Sequence, residues 1–497
     1  LFFRNEGETH LAALRAVYRK SGLAVFVTSV TTAVGMLSLL AVPLAPIRIF
    51  GFSAALGVLF AFLLTVFMLP VMVGLWPPVG RRTAKGGVAN ERRRHPIQRL
   101  LRRLEPVAHA RPWPVIVVFS VATAVLLAGA SQLVVDSNLL TMLKKGVPLR
   151  TAMETADREM GSGRTLAVTV NAGRVDGLKD PRLLKKMEAF QRYLNTAHPD
   201  KVTRTHSLAD VAKDSLRALN GGDEAFYRVA DDPRLLEQIL FLFNNASPKD
   251  RRMVVTDDYS MASISVGLRM ASTNSYAALL EDTEAALARI FDPLKPVFPE
   301  LQVSLVGDLP FETRVVSLIS RAQVRGFGLA LGVISLLLLF LFGSVRVGLL
   351  AVLPNLFPMI AVFGLMGFLR IPLDADTMLV VPVTIGIVVD DTIHFLTHYR
   401  TELARHGSVS RAIGAAFREA GQAIVFTSLI LATSFLALAW MDHQGLSAFG
   451  YLGAIAILTA LFSDLFFLPA LLVAFHGRRR DAGAVPLGEP ASGPASA

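Results

Sequence analysis

The sequence contains no cysteine among its 497 residues. A disulfide framework and a thiolate-ligated metal site are both excluded. Charge is scarce as well: Asp, Glu, Lys and Arg make up 18% of the chain, against about 25% in an average soluble protein. No HExxH or comparable zinc motif is present, so a hydrolytic metal centre is not expected. No signal peptide precedes the first apolar run, which carries little weight because a first transmembrane helix can itself direct insertion.

What the chain has instead is apolar length. It is 53% hydrophobic with a mean hydropathy of +0.49, and several runs reach the roughly 20 residues that cross a bilayer. Eight spans are expected, near 22–42, 48–76, 113–134, 324–343, 346–369, 376–399, 422–441 and 446–476. The order is an end of a bundle (1–76), a basic linker (77–112), one span (113–134), a domain over 135–323, five spans over 324–476, and a tail over 477–497.

The net charge of +11 is unevenly placed. Residues 77–112 hold ten Arg/Lys against two Glu, and Arg478–Arg480 follow the last apolar run. Residues 135–325 are nearly neutral, with 26 basic and 25 acidic side chains. Basic clusters beside apolar spans are the positive-inside signal, and no nucleic-acid motif accompanies them. With 77–112 in the cytoplasm, alternation puts 135–323 outside, and the loops near Arg346 and 400–421 and the tail inside. The large domain is therefore expected on the outer side of the membrane.

A shift of 399 residues superposes 25–73 on 424–472 without a gap. Thr28-Ser29 falls on Thr427-Ser428, Phe50-Gly51 on Phe449-Gly450, and Leu69-Pro70 on Leu468-Pro469. Composition alone does not keep such landmarks aligned, so the pattern reads as a duplication, a common device of transporters. The second copy is preceded by four further spans and a domain, and the first is not. The chain starts Leu-Phe-Phe-Arg, and Arg4 corresponds to Arg400. The expectation is a longer protein of six plus six spans whose N-terminal half is missing here.

Within 135–323, TLAVTVN (165–171), MASISVGL (261–268) and QVSLVG (302–307) alternate as strands, and 180–196 and 276–293 carry helical spacing. The recurring β-α-β order predicts an α+β, ferredoxin-like unit with helices inserted over 207–245. The apolar stretch LLEQILFLFNN is expected to pack inside that unit rather than meet lipid. His198 and His206 stand apart in sequence, and no nucleophile–base spacing is visible, so an enzyme is not expected.

The unusual segment is VPVTIGIVVDDTIHFLTHYR, 381–400. Residues four apart share a helix face, so Asp390, His394 and His398 form one stripe, with Asp391 on its edge. A charge at mid-bilayer costs about 2.5 to more than 10 kcal/mol and persists only where it faces protein or water. Three readings fit: a proton relay, which comes first; a sodium site; and carboxylates hydrogen-bonded across helices. His398, beside Tyr399 and Arg400, reads as interfacial. Thr427, Ser428, Thr433 and Ser434 are hydroxyl partners or close-packing residues, with Thr28 and Ser29 as their repeat equivalents. Asp464, opposite Thr65 in the repeat, is a relay auxiliary or a hydrogen-bond partner. Pro354, Asn355 and Pro358 predict a helix bend, and Gly386 a close helix approach.

With LPNLFPMI upstream, and VFTSLILATSFLAL and FGYLGAIAILTALFSDLFFLPALL downstream, GIVVDDTIHFLTHYR resembles the resistance–nodulation–division superfamily. The likeness is to its MMPL, Patched-like and hopanoid-transporter branch. It implies a polytopic α-helical membrane protein of duplicated six-helix bundles with periplasmic domains. It implies export of lipids or other hydrophobic molecules driven by the proton gradient, with acids of the fourth and tenth spans as the coupling site. The tenth-span match is Asp390 and Asp391, with Asp391 first and His394 in the same helical pattern; the fourth-span partner is not in this sequence. No cofactor is implied beyond protons, with sodium still open as the coupling ion. Membrane lipids, a hydrophobic substrate and a homo-oligomer are the expected partners. A sterol-sensing-like lipid binder and a SecD/SecF-like translocation accessory share the helical plan.

Overall fold

The computed structural model describes residues 10–41, 45–75, 101, 103–104, 106, 111–136, 138–161, 163–245, 247–374 and 376–476. Most of the basic linker, the tail and Arg4 lie outside the described residues. In chain order the main elements begin with α1 (His10–Leu37), α2 (Ala45–Leu75), α3 (Pro112–Ala130), α4 (Pro148–Met160) and β1 (Arg164–Asn171). They continue with α5 (Pro181–Ala197), β2 (Val202–His206), α6 (Leu208–Leu219), α7 (Pro233–Phe243), α8 (Pro248–Arg252), β3 (Met261–Leu268), α9 (Thr273–Phe291) and β4 (Gln302–Val306). The remainder is helical: α10 (Asp308–Phe342), α11 (Val345–Phe368), α12 (Val380–His406), α13 (Val409–Glu419), α14 (Gly421–Ala437), α15 (Gln444–Phe462), a π-turn (Ser463–Phe467) and α16 (Leu468–His476).

The chain divides into two compact units, one of Leu1–Val135, Ile319–Met441 and Leu446–Ala497, the other of Asp136–Leu318 with Asp442–Gly445. The first is a helical bundle. Among the described residues it carries eight helices long and apolar enough to cross a membrane, and the one with the paired acids extends to Arg405.

Glycine sets how closely these helices approach. A Cβ on Gly367 of α11 would lie 1.9 Å from the Gly129 carbonyl oxygen of α3, and one on Gly364 2.4 Å from the Leu126 oxygen. Only hydrogen fits there, so the two backbones meet directly.

The internal repeat is present in space. A Cβ on Gly51 would sit 2.7 Å from the Met36 oxygen and 2.8 Å from Leu39 Cβ. One on Gly450 would sit 2.6 Å from the Phe435 oxygen and 2.8 Å from Leu438 Cβ. Each pair is related by the same 399-residue shift, so α1–α2 and α14–α15 are two copies of one hairpin.

The copies part at their second helix. Proline has no N–H for the carbonyl four residues before it, and Pro70 so leaves Val66 without its helical donor. The Tyr18 hydroxyl fills that place, 2.5 Å from the Val66 oxygen. The equivalent of Tyr18 is Phe417, which has no hydroxyl, and before Pro469 the helix opens into the π-turn Ser463–Phe467. Asp464 stands in that turn. Its counterpart Thr65 sits in regular helix and donates to its own Ala61 oxygen at 2.8 Å.

The second unit is built on a four-stranded sheet of order β2-β3-β1-β4. Each adjacent pair is antiparallel. With α5 between β1 and β2 and α9 between β3 and β4, this is the split β-α-β order. The strand β2 (VTRTH) was not expected from the sequence. It is short and at the sheet edge, so little apolar alternation marks it. β1 shows the inward Leu166, Val168 and Val170 that do. In α7, Leu236, Ile239 and Leu240 are fully buried in the unit's core, so this helix packs within the unit, with Phe241 and Leu242 exposed.

His198 is not isolated in space. Its Nε2 lies 2.8 Å from Asp282, which also accepts from the Tyr193 hydroxyl at 2.8 Å. Nearby chemistry is otherwise structural. Asp180 caps α5 through the Arg182 N–H, and the same residue's guanidinium holds the Asp180 carboxyl below its usual range.

Two outcomes follow. Gly367→Ala should destabilise the detergent-purified protein by at least about 1–3 kcal/mol, whereas Gly57→Ala, with nothing within 4 Å of the new Cβ, should stabilise it by about 0.5–1 kcal/mol; thermal melts compare them. Arg252 and Arg251 hold the Asp257 carboxyl down at about 2, from 3.8. A depressed value means this clamp is present above the unfolded value and is lost as pH falls from 3.8 toward about 2. Asp257→Asn should remove that part of the acid transition and leave the melt flat between neutral pH and the onset.

Candidate functional site

Helix α12 runs through the centre of the bundle, and most of its side chains between Val380 and Tyr399 are buried. Successive residues on a helix point about 100° apart, so three consecutive side chains address three different neighbours. Asp390, Asp391 and Thr392 do so.

Asp390 faces α1, where Thr28 stands near its carboxylate while donating its hydroxyl to its own helix, to the Val25 oxygen at 3.0 Å. Its Oδ1 is buried and accepts no hydrogen bond. His394 Nε2 lies 4.0 Å from that oxygen, too far for a hydrogen bond. Asp391 faces α14. Its Oδ2 accepts from Ser428 Oγ at 2.8 Å and its Oδ1 from Thr427 Oγ1 at 3.4 Å. Of the repeat equivalents Thr28 and Thr427, Thr427 bonds its acid, and Thr28 stands beside the other. Ser29 does not share the role of Ser428, since it donates to its own helix at Val25. Thr433 and Ser434 also bond back within α14, to Leu429 and Ile430 carbonyls, and take no part.

Thr392 faces the other way. Its hydroxyl donates to Asp464 Oδ1 at 2.6 Å and lies 3.3 Å from Asn355 Oδ1. Asp464 therefore joins α12 through Thr392, on a different face from the one that meets Ser428, and its Oδ2 is buried with no partner. Asn355 does more than mark a bend. It is 2% exposed, and its Nδ2 donates to Ala351 at 2.8 Å, which leaves Oδ1 toward Thr392. Pro358 deprives the Pro354 carbonyl of its helical donor, and Ser463 Oγ supplies one at 3.0 Å. α11 continues as helix through both prolines.

Thr392 and Ser463 were the residues sequence reasoning missed. Each stands beside a singled-out acid, and a hydroxyl in that place was the available signal. Gly386 closes on α1 as expected: a Cβ on Gly35 would be 3.0 Å from Gly386 Cα, and Thr32 donates to the Gly386 oxygen at 2.9 Å. His398 pairs instead with Glu419 of α13 at 2.8 Å, away from the acids.

A cavity of about 260 Å³ opens on Asp390, Asp391, Thr427, Ile387, Ile430 and Ile457, among others. It is mostly apolar, with both carboxylates at its wall. Two acids that can take up or release a proton beside an apolar, hydroxyl-fringed space suit proton transfer. Among the described residues no group of three His, Cys, Asp or Glu is placed to hold a metal.

Ser428→Ala strips the better donor from Asp391 and should cost about 1–3 kcal/mol of stability. Ser29→Ala, whose hydroxyl serves only its own helix, should stay within about 0.5 kcal/mol. Paired thermal melts of the purified variants decide this, and equal losses would refute the assignment of Ser428.

Comparison with known proteins agrees with this layout. The pattern of the MMPL family matches residues 3–126 and 165–485. A membrane protein of Methanocaldococcus jannaschii is 24% identical over 393 residues, covering 76% of this chain and 94% of its own. The trehalose monomycolate exporter MmpL3 of Mycolicibacterium smegmatis is 25% identical over 198 residues, 37% of this chain and 19% of that one. The cryo-EM structure of the hedgehog release protein Disp from the water bear Hypsibius dujardini shares the fold. It has a TM-score of 0.57 and 13% identity, covering 92% of this chain and 59% of that one. This chain thus spans nearly all of the archaeal relative, a fifth of MmpL3 and three-fifths of Disp. On the match across most of its length, the chain belongs to the MMPL family of multi-pass membrane transporters, within the resistance–nodulation–division superfamily.

Proposed function

We propose that the chain serves proton-motive-force-driven export of lipids or other hydrophobic molecules at a bacterial inner membrane, with the α+β unit on the periplasmic side. The observation that carries this reading is the adjacent pair Asp390 and Asp391 at the wall of one cavity, with Asp391 bound by the Ser428 and Thr427 hydroxyls of α14. Similarity to a trehalose monomycolate exporter supports a hydrophobic cargo.

The chemistry is a change of charge. As a carboxylate, Asp391 holds the Ser428 hydroxyl across α12 and α14. A proton on Asp391 removes the charge, weakens that charge-assisted bond and lets α14 shift against α12. Each protonation state then favours one arrangement of the bundle, and a gradient drives the cycle between them. Asp390 stands beside Thr28 on α1, at the other hairpin. His394 stands one turn on, placed to pass protons toward Asp390 through water.

The protein reconstituted in liposomes, with an imposed pH gradient and a pH-sensitive dye inside, tests this. Wild type should carry a proton flux that rises with a candidate lipid and is unchanged when sodium is replaced by choline. Asp391→Asn should abolish the flux, and Asp390→Asn should lower it. Lipid binding without flux in the wild type would overturn the reading in favour of a sterol-sensing-like binder. A flux that follows sodium would replace the coupling ion.

A further inference from the structure

Asp464 is the buried acid that the Asp390–Asp391 pair does not use. It stands 1% exposed in the π-turn, with one oxygen on Thr392 and the other bare. The first copy of the repeat has Thr65 and an uninterrupted helix at this place, so the feature is specific to one half.

We infer that Asp464, Thr392 and Asn355 form a proton-operated switch between the π-turn and α11, distinct from the Asp390–Asp391 pair. Its use in transport rests on the proton-coupled reading above; its geometry does not.

The Thr392 hydroxyl has one hydrogen and two acceptors, Asp464 Oδ1 at 2.6 Å and Asn355 Oδ1 at 3.3 Å. Asn355 cannot turn its amide nitrogen to Thr392 without giving up Ala351, so its oxygen waits as an acceptor. With Asp464 ionised, Thr392 donates to Oδ1 and ties α12 to the π-turn. When a proton binds Asp464 Oδ1, an O–H bond forms there and that group donates to Thr392 Oγ1. The Thr392 hydrogen then turns to Asn355 Oδ1, which ties α12 to α11. One proton enters, no heavy-atom bond changes, and the hydrogen-bond chain reverses. Ser463, bonded to the Pro354 carbonyl at 3.0 Å, keeps the turn against α11 in both states.

A hydrogen fits between oxygens 2.6 Å apart. Among the described residues no group of three His, Cys, Asp or Glu is placed to hold a metal ion.

The charged surroundings are few. Asp391 is within electrostatic reach of Asp464, and Asp390 and His394 lie further round α12. α3 carries no ionisable side chain, α11 only Arg346, and α16 only His476 at its end. A proton on Asp391 and one on Asp464 therefore affect each other, which links the switch to the pair.

Infrared difference spectra of the whole purified protein between high and low pH read this directly, through the carbonyl stretch of protonated buried carboxyls. Asp464→Asn should delete one such band. Thr392→Val should shift it, since Asp464 loses its hydrogen-bond partner, and Thr392→Ser should return it to the wild-type position. Asn355→Leu should shift it less than Thr392→Val. Asp391→Asn should leave the band in place while abolishing proton flux in liposomes. No band lost in Asp464→Asn, or no shift in Thr392→Val, would overturn the switch. Flux that survives Asp391→Asn would overturn the proposed function instead and leave the switch standing.

Discussion

In the apolar interior of a membrane bundle, a backbone polar atom left without a partner is costly. That constraint organises the part of this molecule that matters most. Three prolines, Pro70, Pro358 and Pro469, each withhold an N–H from a carbonyl one turn earlier. Two of those carbonyls are met by hydroxyls from other helices, Tyr18 to Val66 and Ser463 to Pro354. Before the third, the helix widens into a π-turn, and the sequence equivalent of Tyr18 is Phe417, which has no hydroxyl. The acid in that turn gains its place in the core from the widening, since π-bulges re-aim a side chain that a regular helix would present elsewhere.

The same constraint explains the run Asp390-Asp391-Thr392. One polar residue in mid-helix needs one partner helix. Three in succession need three, because their directions differ by about 100° each. α12 therefore has to lie at the centre, with α1, α14 and the α11–π-turn pair around it. The glycines allow this: Gly35 and Gly386 bring α1 onto α12, and Gly51 and Gly450 hold each hairpin closed. Placing the polar run at the rim of the bundle would leave at least one of the three facing lipid, at a cost of several kcal/mol for an acid.

Much of this was legible in the sequence, and for physical reasons. The spans showed because apolar length is a strong signal, and the repeat because Thr28-Ser29, Phe50-Gly51 and Leu69-Pro70 carry geometric demands that composition cannot imitate. Strands β1 and β3 showed by alternation, while β2, a short edge strand, did not. At the site, the residue types were visible but their pairing was not. Asp464 could be singled out as a misplaced charge, yet which helix it met depended on a π-turn of Ser463–Phe467. The first copy has no such turn, and Thr65 there sits in regular helix. Asn355 read as part of a bend because its neighbours are prolines. Its amide is a hydrogen-bond acceptor for α12 only once α11 and α12 are packed.

The duplication then has a sharper meaning than shared ancestry of two hairpins. Threonines at equivalent positions, Thr28 and Thr427, stand beside the two adjacent acids of α12. That much is symmetric. Ser428 adds a second donor where Ser29 turns back to its own helix, and Asp464 adds an acid where Thr65 has none. Both additions fall in the same copy. A symmetric frame with two equal clamps has no preferred direction of movement, because any shift of α12 toward one hairpin is matched by an equal alternative toward the other. Strengthening one clamp and placing a third acid behind the same copy breaks that degeneracy. The polar groups that distinguish the two copies therefore belong to the second one, where Ser428 holds Asp391 and Asp464 holds Thr392.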